Sequence, residues 1–156
     1  MFMKKAVFLL LVVSLFIALQ GQTEMLGSLT REAILKGVPE WQQVMASYQP
    51  DPLALDKLKA ISLPVKVEIF LGTWCPDSKA HVSEFFKVLD LADNPLLSAT
   101  YIGLPRDKAK RAEYCQGKDI QKIPTFIVTA QGQEKGRIIE APLKSIEQDL
   151  VNLLLR

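Results

Sequence analysis

An α/β fold follows from three features of the sequence. First, Val65–Leu71 is an apolar run of strand length, and a helical stripe of Val82, Phe85, Phe86 and Leu89 comes directly after it. Second, the alternation repeats, with a strand over Leu97–Leu104 and a helix over Asp107–Gln116. Third, Phe126–Thr129 and Lys135–Glu140 flank the turn Ala130-Gln131-Gly132-Gln133, which reads as a hairpin. The order over residues 65–156 is therefore βαβαββα, a sheet flanked by helices. Two helical crossovers imply parallel strands, and the hairpin adds an antiparallel edge.

Taken in chain order, the first element is not part of this fold. Lys4 and Lys5 form a basic head, and Ala6–Leu19 form an apolar stretch that returns to polar residues at Gln20-Gly21-Gln22-Thr23. Fourteen apolar-stretch residues fit an export signal over residues 1–21, whereas a membrane span needs about 20. Ala18 and Gly21 are both small enough to mark the cut, and no cysteine follows to carry a lipid. This places the mature chain in a periplasm or outside the cell, with membrane contact only through the signal segment if it is uncleaved.

Residues 22–64 read as a helical N-terminal extension. Thr30 caps a short helix that stops at Gly37, and Pro39 suits the first turn of a second. Trp41, Val44, Met45 and Tyr48 form one apolar face, expected to pack against the domain that follows. Asp51-Pro52 opens a third helix through Leu55, Leu58 and Ile61, which Pro64 ends. Beyond the hairpin, Ile146, Leu150, Leu153 and Leu154 line a last helix, and Ser145 with Gln148 reads as a capping box.

Composition narrows the function classes. The chain has 156 residues, 49% hydrophobic and 23% charged, which suits one globular domain behind the leader. Of 19 basic residues, Lys4 and Lys5 leave with the leader, so 17 face 17 acidic ones and the mature chain is neutral. No basic stripe interleaved with aromatics is present, which argues against a nucleic-acid partner. The single histidine, His81, lies six residues past Cys75, roughly 240° around a helix, and reads as a solvated helix residue. One histidine and two distant cysteines make no metal site, and no cofactor is expected.

The chemistry concentrates in Gly72-Thr73-Trp74-Cys75-Pro76-Asp77-Ser78-Lys79. Cys75 stands where a strand ends and a helix begins, and the free N–H groups and positive dipole end of a helix start favour thiolate over thiol. Pro76 suits the first helical position, where its missing N–H costs nothing. Asp77 complements the dipole but opposes a neighbouring thiolate. Ser78 is expected to donate its hydroxyl to the sulfur. Trp74 reads as a shield over Cys75 and an apolar surface for clients. Cys115 reads as a buried small residue, with a bridge to Cys75 or a free reactive thiol as alternatives.

A Trp-Cys-x-x motif after the first strand, with Ile123-Pro124-Thr125 before the third, resembles the thioredoxin superfamily. The Trp-Cys-x-Asp-Ser motif and the helical extension are similar to those of exported bacterial members. The resemblance implies a cis Pro124 facing Cys75, with the Ile123 backbone free to pair with an extended client. It also exposes three departures. Ser78 replaces the resolving cysteine, Ile69 stands where thioredoxins bury an aspartate, and Ser83 replaces a proline common in the first helix.

Two functions follow. In the first, Cys75 is the nucleophile and Ser78 its partner in a monothiol oxidoreductase or isomerase, forming mixed disulfides with client proteins or small thiols. Trp74, Pro76, Asp77, Ile123 and Pro124 are then its substrate surface. In the second, the same surface holds client proteins without turnover. A third scheme makes Cys115 a second thiol that resolves Cys75.

Overall fold

The computed structural model describes residues 24–155, and the leader read over residues 1–21 lies outside them. The described elements are β1 (Gly27–Leu29), α1 (Arg31–Gly37), α2 (Trp41–Ser47), α3 (Pro52–Lys59), β2 (Val65–Leu71), α4 (Pro76–Ala92), β3 (Leu97–Gly103), a 3-10 helix (Lys108–Glu113), β4 (Thr125–Ala130), β5 (Gln133–Ile139) and α5 (Ile146–Leu154). The strands form one sheet in the order β1-β3-β2-β4-β5. The α/β sheet flanked by helices is the architecture expected from the sequence.

Local chemistry accounts for most boundaries. Thr30 accepts from Ala33 N–H at 3.1 Å and opens α1. Asp51 accepts from Ala54 N–H at 2.7 Å ahead of Pro52 and opens α3. Each satisfies a backbone donor that the first helical turn leaves unpaired. Ser145 caps α5, accepting from Gln148 N–H at 3.4 Å. The reciprocal side chain differs from the expected capping box, because the Ser145 hydroxyl donates to Glu147 at 2.6 Å.

Strand alternation sorts the side chains into two cores. On one face of the sheet Val65, Val67, Ile69, Leu71, Tyr101, Phe126 and Val128 meet the helices. Phe85 and Phe86 of α4 stand edge-on to Phe126 and Tyr101, with ring centroids 5.6 and 5.4 Å apart. Fully burying such a side chain contributes about 1.5–3 kcal/mol. Trp41 is fully buried in this core, as its stripe requires, while Val44, Met45 and Tyr48 are half-buried. On the other face, Phe70, Ile102 and Ile127 are buried by the connection after β3, which contributes Leu104, Cys115, Ile120 and Ile123.

Three expectations are corrected. The 22–64 segment is not helical throughout, since β1 pairs antiparallel with the edge of β3 from Gly27↔Gly103 to Leu29↔Tyr101. Three residues are too few to show a two-residue period, and what admits the strand is Gly103. A Cβ there would lie 2.0 Å from the Met25 carbonyl oxygen. The second correction concerns direction. β3 runs parallel to β2, but β4 runs antiparallel to β2, with Phe70 opposite Thr125. The expected helix over 107–116 is a 3-10 helix of six residues, and Gln116 and Gly117 follow it with φ of 52° and 76°. The connection therefore stays at the end of the sheet where β3 finishes, and β4 re-enters from that end.

That end also carries the Trp-Cys segment. β2 delivers it, α4 begins there, and the 104–124 connection closes over it.

Candidate functional site

Cys75 is the N-cap of α4, with extended backbone at φ −92° and ψ 125°. Its N–H donates to the Gly72 carbonyl at 2.9 Å, and its carbonyl accepts from Lys79 N–H at 2.9 Å. The first bond folds Gly72–Cys75 into a turn, and the second starts the helix. The residue is 8% exposed, and its thiol points at the Ile123 carbonyl oxygen, 3.8 Å from Sγ. The Ile123–Pro124 bond is cis, as the resemblance implied. Ile123 is buried, and its carbonyl faces the sulfur.

Ser78 does something other than expected. It is fully buried, and its hydroxyl oxygen accepts from Gly72 N–H at 3.1 Å. Its bond therefore holds the turn that presents Cys75, rather than meeting the sulfur. Pro76 and Asp77 are exposed on the first turn of α4. Pro124 is buried beneath the site.

Trp74 is half-buried, and its indole N–H donates to the Leu104 carbonyl at 3.0 Å. Gly72 makes room for it, because a Cβ there would lie 2.8 Å from the indole and 2.9 Å from Ile123 Cδ1. The guanidinium carbons of Arg106 and Arg111 lie 5.1 and 5.6 Å from the Trp74 ring centre, within cation–π range. Arg106 also pairs with Glu24, at 3.4 Å. Neither arginine was legible as a site residue. They belong to a charged connection without periodicity, and only the fold carries it back to Trp74.

Both cysteines are free thiols and both are buried. They pack within one apolar cluster with Phe70, Ile102, Leu104 and Ile123. Burial pushes the Cys115 thiol above the ordinary cysteine range, and the nearby Arg111 charge opposes that rise. His81 is corrected from solvated to half-buried, its Nδ1 lying 2.8 Å from Glu84 Oε2. Among the described residues no group of three His, Cys, Asp or Glu gathers as metal ligands. None of the described helices is long and apolar enough to cross a membrane.

A family model described as Thioredoxin matches residues 31–151, which is most of the chain. The chain belongs to the thioredoxin family. Within that family its departures acquire a structural setting. Ile69 is fully buried in the helix-side core where thioredoxins bury an aspartate, and Ser83 is fully buried in α4. Among solved structures, a protein of unknown function from Pseudomonas aeruginosa is similar at 15% identity and a TM-score of 0.57, covering 78% of this chain and 84% of that one. An HIV epitope-scaffold is similar at 16% identity and a TM-score of 0.58, with the same coverage. Both likenesses concern the fold. No curated protein matches the chain.

Proposed function

We propose that this thioredoxin-family protein is an exported monothiol exchanger that acts through Cys75. The observation that carries the reading is the seat of the thiol, at the N-cap of α4 and facing the cis Ile123–Pro124 segment. In the reaction, the Cys75 proton leaves to solvent and the thiolate attacks one sulfur of a client disulfide. A Cys75–client disulfide forms, the client S–S bond breaks, and the other client sulfur departs with the electron pair. Ser78 supplies no second thiol, so an external thiol attacks the mixed disulfide and releases Cys75. Such a cycle isomerises disulfides or exchanges thiols, and does not store two electrons in the Cys75–Ser78 segment. The basic head and apolar stretch before Gly21 support action in a periplasm or outside the cell.

A specific observation favours a second reading. Cys75 is only 8% exposed, which suits a surface that holds a client protein without turning it over. One assay separates the two, using a peptide–thiol mixed disulfide with excess external thiol. Turnover is expected to persist in Cys115→Ser and to fall to the uncatalysed rate in Cys75→Ser, with a client adduct on Cys75 detected by mass. Turnover that survives Cys75→Ser would sink the exchange reading. A wild type that binds clients without exchange would establish the holding role.

A further inference from the structure

The residues just ahead of β1 reach the Cys75 turn, although 48 positions separate Met25 from Thr73. Met25 is held by its backbone and by its side chain. Its N–H donates to Thr73 Oγ1 at 3.3 Å. Its carbonyl lies against Gly103 and its sulfur against Gly37, where a Cβ would stand 2.6 Å away. From Gly27 the chain continues as β1 along the edge of β3. Glu24 reaches over the same end of the sheet. One of its carboxylate oxygens accepts from Arg106 N–H at 3.2 Å and pairs with Arg106 Nε at 3.4 Å. The same guanidinium stands over Trp74, its carbon 5.1 Å from the ring centre.

These contacts complete the fastening of the turn from Gly72 to Cys75. Gly72 N–H donates to Ser78 of α4, and the Trp74 indole donates to Leu104 after β3. Thr73 is 1% exposed, and the N–H it receives comes from the N-terminal extension. An exposed ion pair contributes little energy. A carboxylate that takes two N–H groups of one residue nevertheless fixes where that guanidinium lies. We infer that Glu24 and Met25 are positioning residues for the exchange proposed above, and their role rests on that reading. Glu24 acts on Trp74 through Arg106, and Met25 acts on the thiol turn through Thr73. Loosening the turn opens a sulfur that is 8% exposed to small reagents. It also misplaces the Trp74 surface that a client meets, and small misplacements slow a positioned reaction.

The test is made in the Cys115→Ser background, where Cys75 is the one thiol. The indole N–H signals of Trp41 and Trp74 are followed by NMR, with Trp74→Phe assigning them. Glu24→Gln is expected to move the Trp74 signal and leave that of Trp41 in place, and to move neither once Arg106→Gln is present. A Trp74 signal that Glu24→Gln leaves unmoved, or moves equally without Arg106, overturns the role of Glu24. Thr73→Val keeps the shape of the buried side chain and removes the acceptor. It should speed Cys75 alkylation by iodoacetamide about fivefold, the factor one neutral hydrogen bond supplies. It should also lower kcat/KM for the peptide–thiol mixed disulfide, and Thr73→Ser should restore both. Asp51→Ala loses the cap of α3, and with it a similar amount of stability, yet should leave the alkylation rate unchanged. No rise in Thr73→Val, or an equal rise in Asp51→Ala, overturns the role of Met25. A kcat/KM unchanged in both Glu24→Gln and Thr73→Val overturns positioning altogether. Glu24 is half-exposed, so its variant folds even if Thr73→Val does not. If the wild type exchanges no disulfide, the exchange reading fails. The indole signals and alkylation rates, which need no turnover, then still decide whether Glu24 and Met25 hold the turn.

Discussion

Ser78 shows how one hydroxyl can be structural at a position that reads as catalytic. Its oxygen accepts the Gly72 N–H from inside a fully buried site. Removing it strands a buried donor, which costs about 1–3 kcal/mol. Ser78→Ala is therefore expected to lower unfolding free energy by about that amount in urea melts, and to loosen the turn that carries Cys75. A variant as stable as the wild type would show that the bond contributes nothing. The spacing from Cys75 was legible in sequence, but the partner was not, because Gly72 approaches through a turn whose geometry no periodicity encodes. Trp74 was legible as a neighbour of the sulfur. Its two arginine contacts were not, since Arg106 and Arg111 lie 32 and 37 residues further along the chain.

Among the elements, α4 positions the thiol and brings Val82, Phe85, Phe86, Val88 and Ala92 to the helix-side core. It also carries an unresolved polar group. Ser83 is fully buried and its hydroxyl has no hydrogen-bond partner among the described residues. Ser83→Ala removes that desolvated hydroxyl and substitutes a better helix former, so stability should rise by about 1 kcal/mol. Differential scanning calorimetry should show a Tm higher by about 3 °C, and an unchanged or lower Tm would mean the hydroxyl is satisfied. α5 is tied to the front of the chain through Glu147, which is almost fully buried. Glu147 accepts from the Tyr48 hydroxyl and from Asp51 N–H, each at 2.8 Å. Burial, and then the bond to Glu147, hold the Tyr48 hydroxyl well above the ordinary tyrosine range. These helices were readable because capping and a 3.6-residue period are local. The 3-10 helix was misread as a longer one, since Asp107 does cap it, accepting from Ala109 N–H at 3.0 Å, but the chain turns left-handed soon afterwards.

At the scale of the whole molecule, the Lys118–Glu68 pair fastens the connection after β3 onto the sheet, at 2.6 Å. Burial works to raise the Glu68 carboxyl, but Lys118 and Lys66 outweigh it and the net shift is downward. A carboxyl lowered on folding stabilises the folded state above its unfolded value, about 4.3, and that contribution is lost as pH falls through the lower folded value. Glu68→Gln should therefore cost about 1 kcal/mol at pH 7. The gap between variant and wild type should narrow as pH falls below that unfolded value and the folded carboxyl takes up its proton, read from denaturant melts at each pH. A gap that persists in acid would assign the effect to packing instead.

The sequence by itself determined the alternation of strand and helix, the caps that open α1, α3 and α5, and the seat of Cys75 where β2 hands over to α4. All of these follow from short-range sterics, hydrogen bonding and hydrophobic period. Only the tertiary structure decided that β4 returns antiparallel, that Gly27–Leu29 joins the sheet, that both cysteines share one cluster, and that Arg111 lies buried against Trp74. Those outcomes depend on which distant segments meet, and the meeting is selected by burial and close approach across the whole chain rather than by any local pattern.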